Sequence, residues 1–447
     1  MTKPTESAKP WDIAADGLCV RCGACFNVCP MNLITKDAHL FPVRGPDAGK
    51  CTDCGLCMIP CPAHFDFQAA YKKLFNTAPE PLDAVGHVLD SFVGHAMEPA
   101  VRSAGSSGGV VSCLLRHMLK TGAVEQVLVC GMDPRQPCRA TPLLTGNIDD
   151  VLAASQSKYT IVTQMEKLSE IARSGLKTAV VGLPCHIHAL RKLQNARRPK
   201  ADNIVLAIGL ACNSTFEMEA SEQLLKVCGV KPDDVARLEY RGGQWPGGVT
   251  ITLRNGEVRR PRSADIKATF NYLKTFFRPS RCLTCIDFSA ELADVSVMDP
   301  WIRDATGRHP YEGGWSLLLT RTDAGRCTVD SAVKSGDLHI EPIQRSMLPS
   351  QFDSIVRYKK VGASIRLGLL RAAGRPYPEY NIVFPQPSRA DVSAEKTAAL
   401  ARGPGKWAIV RGLFVRLAFS RLGDAIMRRR DTQKRARSAA QSRHSEG

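Results

Sequence analysis

Residues 19–30 read CVRCGACFNVCP and residues 51–62 read CTDCGLCMIPCP, and these two runs decide the fold of the N-terminal part of the chain. Both runs have the spacing C-x2-C-x2-C-x3-C-P. One tight loop in each run therefore supplies three thiolates, enough to cap three corners of an iron–sulfur cube. Gly23 and Gly55 relieve backbone crowding in these loops. The two runs predict two 4Fe-4S clusters.

The pairing of the eight cysteines follows from the spacing of bacterial two-cluster ferredoxins, in which the fourth cysteine of one run ligates the cluster of the other run. One predicted set is Cys19, Cys22, Cys25 and Cys61, and the other is Cys51, Cys54, Cys57 and Cys29. Structural zinc favours four cysteines as two separate pairs, and a disulfide scaffold belongs in secreted chains. The spacing favours iron–sulfur clusters over both alternatives.

Length and composition describe a globular protein of two or three domains, because 447 residues with 44% apolar side chains suffice for real cores. The first thirty residues contain no apolar stretch of the kind found in export signals, and no run of eighteen uncharged apolar residues occurs. We therefore expect the chain in the reducing cytoplasm. There its 17 cysteines favour metal ligands or buried apolar positions over disulfides.

The formal net charge of +17 lies largely at the C-terminus, where residues 401–447 hold twelve Lys or Arg against three acidic residues. Residues 405–430 predict a basic amphipathic helix, and residues 431–447 predict a disordered tail. The helix suits either peripheral contact with an anionic inner membrane surface or packing on the body of the protein. Specific nucleic-acid binding is not expected, since the rest of the chain is only modestly basic.

Alternating strand and helix patterns begin near residue 100. Apolar strand patterns occur at residues 125–132, 177–182 and 203–211. One helical pattern follows a glycine-rich turn at residues 106–109, and another follows the strand pattern at residues 177–182. This alternation predicts an α/β domain with a largely parallel sheet and ligands beyond the carboxyl ends of its strands. From about residue 235 the pattern becomes richer in β-structure, with Asn255-Gly256 predicting a type I′ hairpin turn.

A second cysteine set lies beyond the N-terminal runs. Cys185 and Cys212 each follow an apolar strand pattern, and Cys282 and Cys285 form a C-x2-C pair. Four thiolates so placed have the right number to hold a third 4Fe-4S cluster beside the sheet. The spacing alone leaves open a zinc ion, a redox dithiol or simple packing.

The turn Ser106-Ser107-Gly108-Gly109 precedes a helical pattern and suits either a phosphate or an ordinary capped helix. Neither G-x-G-x-x-G nor G-x4-G-K-[ST] occurs here, so nicotinamide binding through a Rossmann fingerprint is not supported. His186 and His188 are either cofactor contacts or ordinary residues at a helix start. Lys158 with Tyr159, and Trp245 beside a tight turn, suit a flavin site or a surface loop equally.

Taken together, six segments resemble the beta-subunit family of coenzyme F420-reducing hydrogenase and dehydrogenase. They are GSSGGVVSCLLRHML, SKYT, VVGLPCHIHALRKL, LACNST, YRGGQWPGG and RCLTCIDFSAELADVSVMDPW, and they occur in the family's order. The resemblance implies a ferredoxin-like part joined to an α/β flavoprotein domain that binds FAD and a nearby 4Fe-4S cluster. It also implies that Ser106, Ser107, Gly108 and Gly109 form the flavin-phosphate loop and that Lys158 lies near the flavin. The four later cysteines match the family's cysteine positions.

The resemblance fixes the predicted organisation as an α+β and α/β chain, with a ferredoxin-like domain followed by a flavoprotein domain, a β-rich part and a basic C-terminal helix. The segments are a flexible arm (1–17), a domain with two 4Fe-4S clusters (18–78), the flavin-binding N-terminal part (98–175), the C-terminal part with the third cluster (176–345), an irregular extension (346–404), the basic helix (405–430) and the tail (431–447).

The predicted function is that of an oxidoreductase that joins one-electron and two-electron chemistry. Iron–sulfur clusters pass single electrons, whereas a flavin accepts electrons singly and delivers a pair. The expected partners are a ferredoxin-type donor and either a small organic substrate or a deazaflavin. The alternative is an electron-transfer subunit that serves a catalytic partner subunit and has no substrate chemistry of its own.

Overall fold

The fold was analysed in a computed structural model, which describes residues 8–402 except 84, 197–200, 262–272, 303–308, 312 and 346–347, together with single positions between 412 and 429. The strands are β1 (Ile34–Lys36), β2 (Pro42–Arg44), β3 (Asp90–Ala96), β4 (Gln126–Met132), β5 (Ala140–Thr145), β6 (Thr178–Gly182), β7 (Ile204–Leu210), β8 (Val235–Gly242), β9 (Gly248–Leu253), β10 (Val258–Arg259), β11 (Val295–Met298), β12 (Ser316–Thr320) and β13 (Leu338–Pro342). The α-helices are α1 (Pro10–Ala15), α2 (Phe67–Phe75), α3 (Pro99–Ala104), α4 (Val110–Lys120), α5 (Ile148–Ala153), α6 (Leu168–Ser174), α7 (Pro184–Asn195), α8 (Glu219–Val227), α9 (Asp323–Lys334), α10 (Leu348–Val356), α11 (Gly362–Ala372) and α12 (Arg389–Arg402).

The N-terminal module consists of the two cysteine runs, the short antiparallel pair β1-β2 between them, and α2 after them. Regular structure is sparse here because each cysteine loop must bring three thiols to a common centre. Within the predicted flexible arm, α1 is ordered and its Ile13 is buried against Leu18 and Ala63. Residues 1–7 lie outside the described residues, so a flexible arm there stays a prediction.

The central sheet has eight strands in the order β13-β3-β12-β11-β7-β6-β4-β5. Only the four central strands, β11-β7-β6-β4, are parallel, and the pairs toward both edges are antiparallel. The prediction of a largely parallel sheet was therefore wrong outside the centre. The parallel pair β6-β7 is joined by a crossover that contains α7, whereas β4 and β5 are joined by a short connection that allows only antiparallel pairing.

Both faces of this sheet are covered, which explains the continuous apolar runs in its central strands. Val127 and Val129 of β4 pack on one face in a cluster that includes residues of α4 and α9. Leu128 points to the other face and shares a cluster with α7 and with Phe67 and Tyr71 of α2. The N-terminal module thus packs on the sheet as part of the layer that covers it.

A smaller antiparallel sheet, β10-β9-β8, carries the predicted hairpin. Leu253 donates its N–H to the carbonyl of Glu257, and Gly256 takes a φ of 86°. Asn255 does not share a positive φ, so the hairpin is confirmed but its turn is not of type I′.

The predicted irregular extension is largely helical. Helix α10, one π-helical turn at Arg357–Val361, and helices α11 and α12 occupy most of residues 348–402. The assignment of this segment as irregular was therefore wrong. The predicted basic helix and tail lie outside the described residues, apart from single positions. Within the part of the chain that the structure describes, no helix is both long and apolar enough to cross a bilayer.

Candidate functional site: three groups of thiols and the edge of the sheet

The first cysteine group joins both N-terminal runs. Cys19, Cys22 and Cys25 line one cavity together with Cys61 from the second run. Burial raises the pKa of the Cys19 thiol to about 12, and the proximity of Cys61 adds to this rise. The fourth cysteine of one run thus lies with the first three of the other, as the predicted pairing requires.

The second cysteine group is nearer the surface. Burial raises the pKa of Cys57 to about 11, and the thiols of Cys29 and Cys54 contribute to the rise. Lys9, which precedes the first residue of α1, counteracts part of this rise. Cys54 is exposed, whereas Cys22, its counterpart in the first run, is buried. The second group is therefore the more accessible of the two to an external partner.

The two runs reach this geometry through the same backbone pattern. In the first run, Arg21 and Gly23 flank the second cysteine and have φ values of 56° and 84°. In the second run, Asp53 and Gly55 flank the second cysteine with φ values of 55° and 73°. Left-handed residues on both sides of one cysteine coil the loop around a common centre, and glycine adopts this region without a Cβ penalty.

The third group assembles from three distant places. Cys185 lies in the first turn of α7 after β6, Cys212 follows the end of β7, and Cys282 and Cys285 come from the turn at Ser280–Thr284 and its C-cap. All four line a single cavity of about 50 Å³. The cavity lies at the carboxyl edge of the parallel strands, where α/β folds place their ligands.

This third group is deeply desolvated. Burial raises the pKa of Cys212 to about 12 and that of Cys185 well above its ordinary value, and the neighbouring thiols raise both further. Among the described residues, no three Cys, His, Asp or Glu side chains converge closely enough to hold one metal ion. Four thiols around one cavity have the number that a 4Fe-4S cluster requires.

Polar groups accompany the four thiols. Ser214 lines the same cavity, and its buried hydroxyl has no hydrogen-bond partner in the part of the chain that the structure describes. Arg281 lines it too and donates to the carbonyl of Leu18 at 3.1 Å and to the hydroxyl of Tyr380 at 2.9 Å. A free hydroxyl donor and a buried cation suit an anionic iron–sulfur cluster, whose reduction potential depends on such groups.

The first and third groups are direct neighbours. Cys19, Val20, Arg21 and Pro62 line both cavities. The pKa of Cys185, raised first by burial, is raised further by Cys22 of the first group. One layer of residues therefore separates the N-terminal module from the thiols at the sheet.

Specific contacts hold the module in this position. Both guanidinium nitrogens at the tip of Arg21 donate to the carboxylate of Glu217 at 2.7 Å. Lys192 of α7 donates to the carbonyl of Cys61 at 2.6 Å, and the carbonyl of Cys22 accepts from the N–H of Met165 at 2.7 Å. The contacts involve the cysteine loops themselves, so the module's thiols are fixed relative to the sheet.

The glycine-rich turn lies at the same edge of the sheet, because β3 runs in the direction of β11 and α3 leads from its end to the turn. The hydroxyl of Ser107 bonds that of Ser316 at 2.9 Å, and the hydroxyl of Ser106 accepts from the N–H of Ser157 at 2.7 Å. A Cβ on Gly108 would come within 2.5 Å of the carbonyl of Gly94. Close backbone packing therefore accounts for this glycine, and the N–H groups at the start of α4 are what the turn offers to an anion.

Lys158 follows the segment that holds Ser106. Its ammonium donates to the carbonyls of Ala154 and Ser155 at the end of α5. Burial lowers the pKa of Lys158 to about 8. The structure thus places a desolvated lysine beside the loop that packs on the glycine-rich turn.

The histidines and Trp245 separate into different roles. His186 lines the third cavity at the start of α7; its Nδ1 accepts from the N–H of Leu183 at 3.2 Å, and burial lowers its pKa to about 4. His188 lines the third cavity and bonds the buried Asp287 at 2.9 Å. Trp245 donates to Asp299 at 3.1 Å, at the end of β11.

Sequence reasoning missed Arg281, Ser214, Tyr380 and Lys359, all of which line the third cavity. Arg281 and Ser214 stand next to predicted cysteines or two residues from them, so proximity was an available signal. Lys359 and Tyr380 come from the segment that was predicted to be irregular, and their sequence context carries no such signal.

Comparisons with known proteins match the order of these parts. Family models match residues 18–65 as a 4Fe-4S dicluster domain, residues 91–169 as the N-terminal part of the coenzyme F420 hydrogenase/dehydrogenase beta subunit, and residues 175–346 as its C-terminus.

Two relatives and one solved structure show the extent of the likeness. The coenzyme F420-dependent sulfite reductase of Methanocaldococcus jannaschii is 28% identical over 75% of this chain and 49% of its own length, so the chain spans about half of that relative. The coenzyme F420 hydrogenase subunit beta of Methanothermobacter thermautotrophicus is 26% identical over 62% of this chain and 93% of its own length. A chain of the F420-reducing [NiFe] hydrogenase complex from Methanosarcina barkeri has the same fold, with a TM-score of 0.53 and 21% identity over 69% of this chain and 99% of that one.

Proposed function

The chain belongs to the coenzyme F420 hydrogenase/dehydrogenase beta-subunit family of oxidoreductases, and on that premise we propose that it passes electrons between a one-electron donor of the ferredoxin type and FAD. The electron pair then serves the reduction of an organic substrate or a deazaflavin. The observation that carries the proposal is the wall shared by the first and third thiol cavities, through which the N-terminal module adjoins the sheet.

The thiols take defined roles in this proposal. The more exposed group at Cys54 faces the external donor, and the buried group at Cys22 is the next along the path. Cys185, Cys212, Cys282 and Cys285 hold a third 4Fe-4S cluster at the edge of the sheet. The desolvated thiols, the unpartnered hydroxyl of Ser214 and the cation of Arg281 support this assignment.

The flavin belongs at the glycine-rich turn. The N-terminus of α4 presents backbone N–H groups and the positive end of the helix dipole to a phosphate, and Lys158 contributes a cation on the adjoining loop. When bound, FAD supplies the exchange between single electrons and electron pairs. The turn and the third cavity lie at the same edge of the sheet, which supports placing both cofactors on that side of it.

The test is anaerobic quantification of iron and flavin, combined with electron paramagnetic resonance. We expect about twelve irons and one flavin for each wild-type chain. Cys282→Ser should lose about four irons, whereas Cys327→Ser, at an exposed cysteine on α9, should lose none. About eight irons in both the wild type and Cys282→Ser would contradict the third cluster, and absence of flavin would contradict the FAD site alone.

A second candidate function is that of an electron-transfer subunit without substrate chemistry of its own. It is favoured by the names of several relatives, which are designated subunits of F420 hydrogenase, F420H2 dehydrogenase and formate dehydrogenase. The purified chain with reduced ferredoxin separates the two functions. Turnover of a substrate or deazaflavin by the chain alone supports the reductase, and turnover only after addition of a second polypeptide supports the subunit.

A further inference from the structure

Two consecutive lysines in the C-terminal segment are both buried. Lys359 and Lys360 lie in the π-helical turn at Arg357–Val361 and are 1% and 2% exposed. π-helical turns are rare and occur frequently at functional sites. The family-model match ends at residue 346, so it does not account for either lysine.

Lys360 has an ordinary explanation. Its ammonium donates to Glu291 at 2.7 Å, and both side chains are buried. A buried ion pair of this kind compensates both charges locally. Lys360 therefore fixes the turn to the body of the protein and needs no further ligand.

Lys359 has no such partner. Among the described residues, no carboxylate lies within ion-pair distance of its ammonium. It lines the third cavity instead, together with Cys212, Cys282 and Cys285. A fully buried ammonium is costly unless an anion compensates it. Four cysteine thiolates around a cluster provide such an anion.

The other charged groups around the cavity are already engaged. Asp287 bonds His188 at 2.9 Å, and Arg281 donates to Leu18, Thr284 and Tyr380. Glu291 is paired with Lys360. Lys359 and Arg281 are thus the two cations lining this cavity whose charge no described carboxylate offsets, and Arg281 is held by three neutral oxygens.

The rest of the C-terminal segment holds the cysteine turn in the same way. Arg366 of α11 donates to the carbonyl of Leu283 at 2.5 Å, and the hydroxyl of Tyr380 donates to the carbonyl of Thr284 at 3.0 Å. Both carbonyls lie between Cys282 and Cys285. The segment therefore fixes the turn and delivers a cation to it.

We propose that Lys359 is the charge partner of the third cluster and raises its reduction potential, so that residues 348–402 complete this site. The proposal rests on the third cluster of the proposed function. A nearby positive charge stabilises the reduced, more negative cluster relative to the oxidised one. Removal of the charge should therefore lower the potential of that cluster and leave those of the two N-terminal clusters in place.

The test is a redox titration of the anaerobically purified full chain, followed by electron paramagnetic resonance. The third-cluster signal is the one that Cys282→Ser removes. In Lys359→Met we expect its reduction equilibrium constant to fall about tenfold, or about 59 mV for one electron. Lys359→Arg should restore most of the potential. Lys396→Met removes a charge from the exposed face of α12 and should change nothing.

Each outcome decides one question. An unchanged third-cluster potential in Lys359→Met overturns the role of Lys359. If Lys359→Met loses about four irons while Lys359→Arg keeps them, the requirement for positive charge is supported. If both variants lose these four irons, position 359 contributes through side-chain packing and not through charge, and the proposal fails. Absence of a third signal in the wild type contradicts the third cluster itself and is recognised by its iron content.

Discussion

The N-terminal module and the third thiol group use cysteines in opposite ways. In the module, each loop supplies three cysteines from seven consecutive residues, and one of the two groups is open to solvent. The third group draws on the segments that follow β6 and β7 and on a turn about seventy residues later, and burial raises the pKa of Cys185 and Cys212. Local sequence builds the first kind of site, whereas the fold must be complete before the second exists.

This difference teaches where stability and function are coupled. A substitution in the module should affect the positions of the module's own thiols, because the local backbone conformation of each loop sets those positions. The third group depends on the C-terminal helices, which fix the turn that carries two of its cysteines. Variants that disturb buried charge near the third group should therefore have the larger effects.

The largest effect is expected from Lys360→Met. At pH 8 the substitution leaves the buried carboxylate of Glu291 without its partner, and breaking a buried pair in this way typically costs about 3–5 kcal/mol of unfolding free energy. Anaerobic denaturant titration followed by circular dichroism measures the loss. The double variant Lys360→Met with Glu291→Gln should recover part of it, and equal stability of wild type and Lys360→Met would show that the pair is not required.

The second prediction concerns the pH dependence of the same region. Burial raises the pKa of Glu291 to about 7, although Lys360 counteracts part of the rise. Because the folded pKa lies above the unfolded one, this group's contribution to stability is full below about pH 4.5 and is lost as pH rises through about 7. Between pH 5 and 8 the wild type should lose on the order of 2 kcal/mol more than Glu291→Gln. Parallel pH profiles of the two proteins would contradict this.

The comparison also explains what the sequence could predict. The spacing of the two cysteine runs predicts how their cysteines pair. In the structure, Cys61 lines one cavity with Cys19 and Cys22, in agreement with that pairing. The runs that became β4, β6 and β7 were predicted because central strands covered on both faces are continuously apolar. Strand β3 was missed because its sequence, DSFVGHA, neither alternates apolar and polar residues nor forms a continuous apolar run.

The rest of the site depends on contacts between distant segments. Lys359 lies more than seventy residues from Cys285, and two consecutive lysines in a sequence predict a solvated surface. The residues that cover the third cavity from the C-terminal segment therefore carry no local signal. The sequence predicted the turn that contains Ser106 and Gly108. It did not predict that the Ser106 hydroxyl accepts a hydrogen bond from the protein itself, or that Gly108 packs closely against the backbone.

A smaller effect is expected at the contact between module and body. Arg21→Met removes two hydrogen bonds to the carboxylate of Glu217, each 2.7 Å long. Because bonds between charged groups contribute about 1.5–3 kcal/mol, we expect a loss of that order in unfolding free energy. Arg21 lines the third cavity, but the four cysteines of that group come from other segments, so iron should stay with the third group. Loss of third-group iron from Arg21→Met would show that this contact also holds the third group in place.

The smallest effect is expected at Asp53 in the more exposed cysteine loop. Its carboxylate is paired with Lys9, but it is largely exposed, and exposed pairs add little stability. Asp53→Asn should therefore leave both unfolding and iron content unchanged, since asparagine tolerates the φ of 55° at this position. Asp53→Val keeps the charge loss but places a β-branched side chain in the left-handed region, at a cost of about 1–2 kcal/mol. If iron content falls in the valine variant alone, the backbone of the loop and not its charge holds the second group together. Equal loss of iron in both variants would show that the carboxylate helps to hold the second group. The module would then depend on a charged side chain, as we propose for the third group.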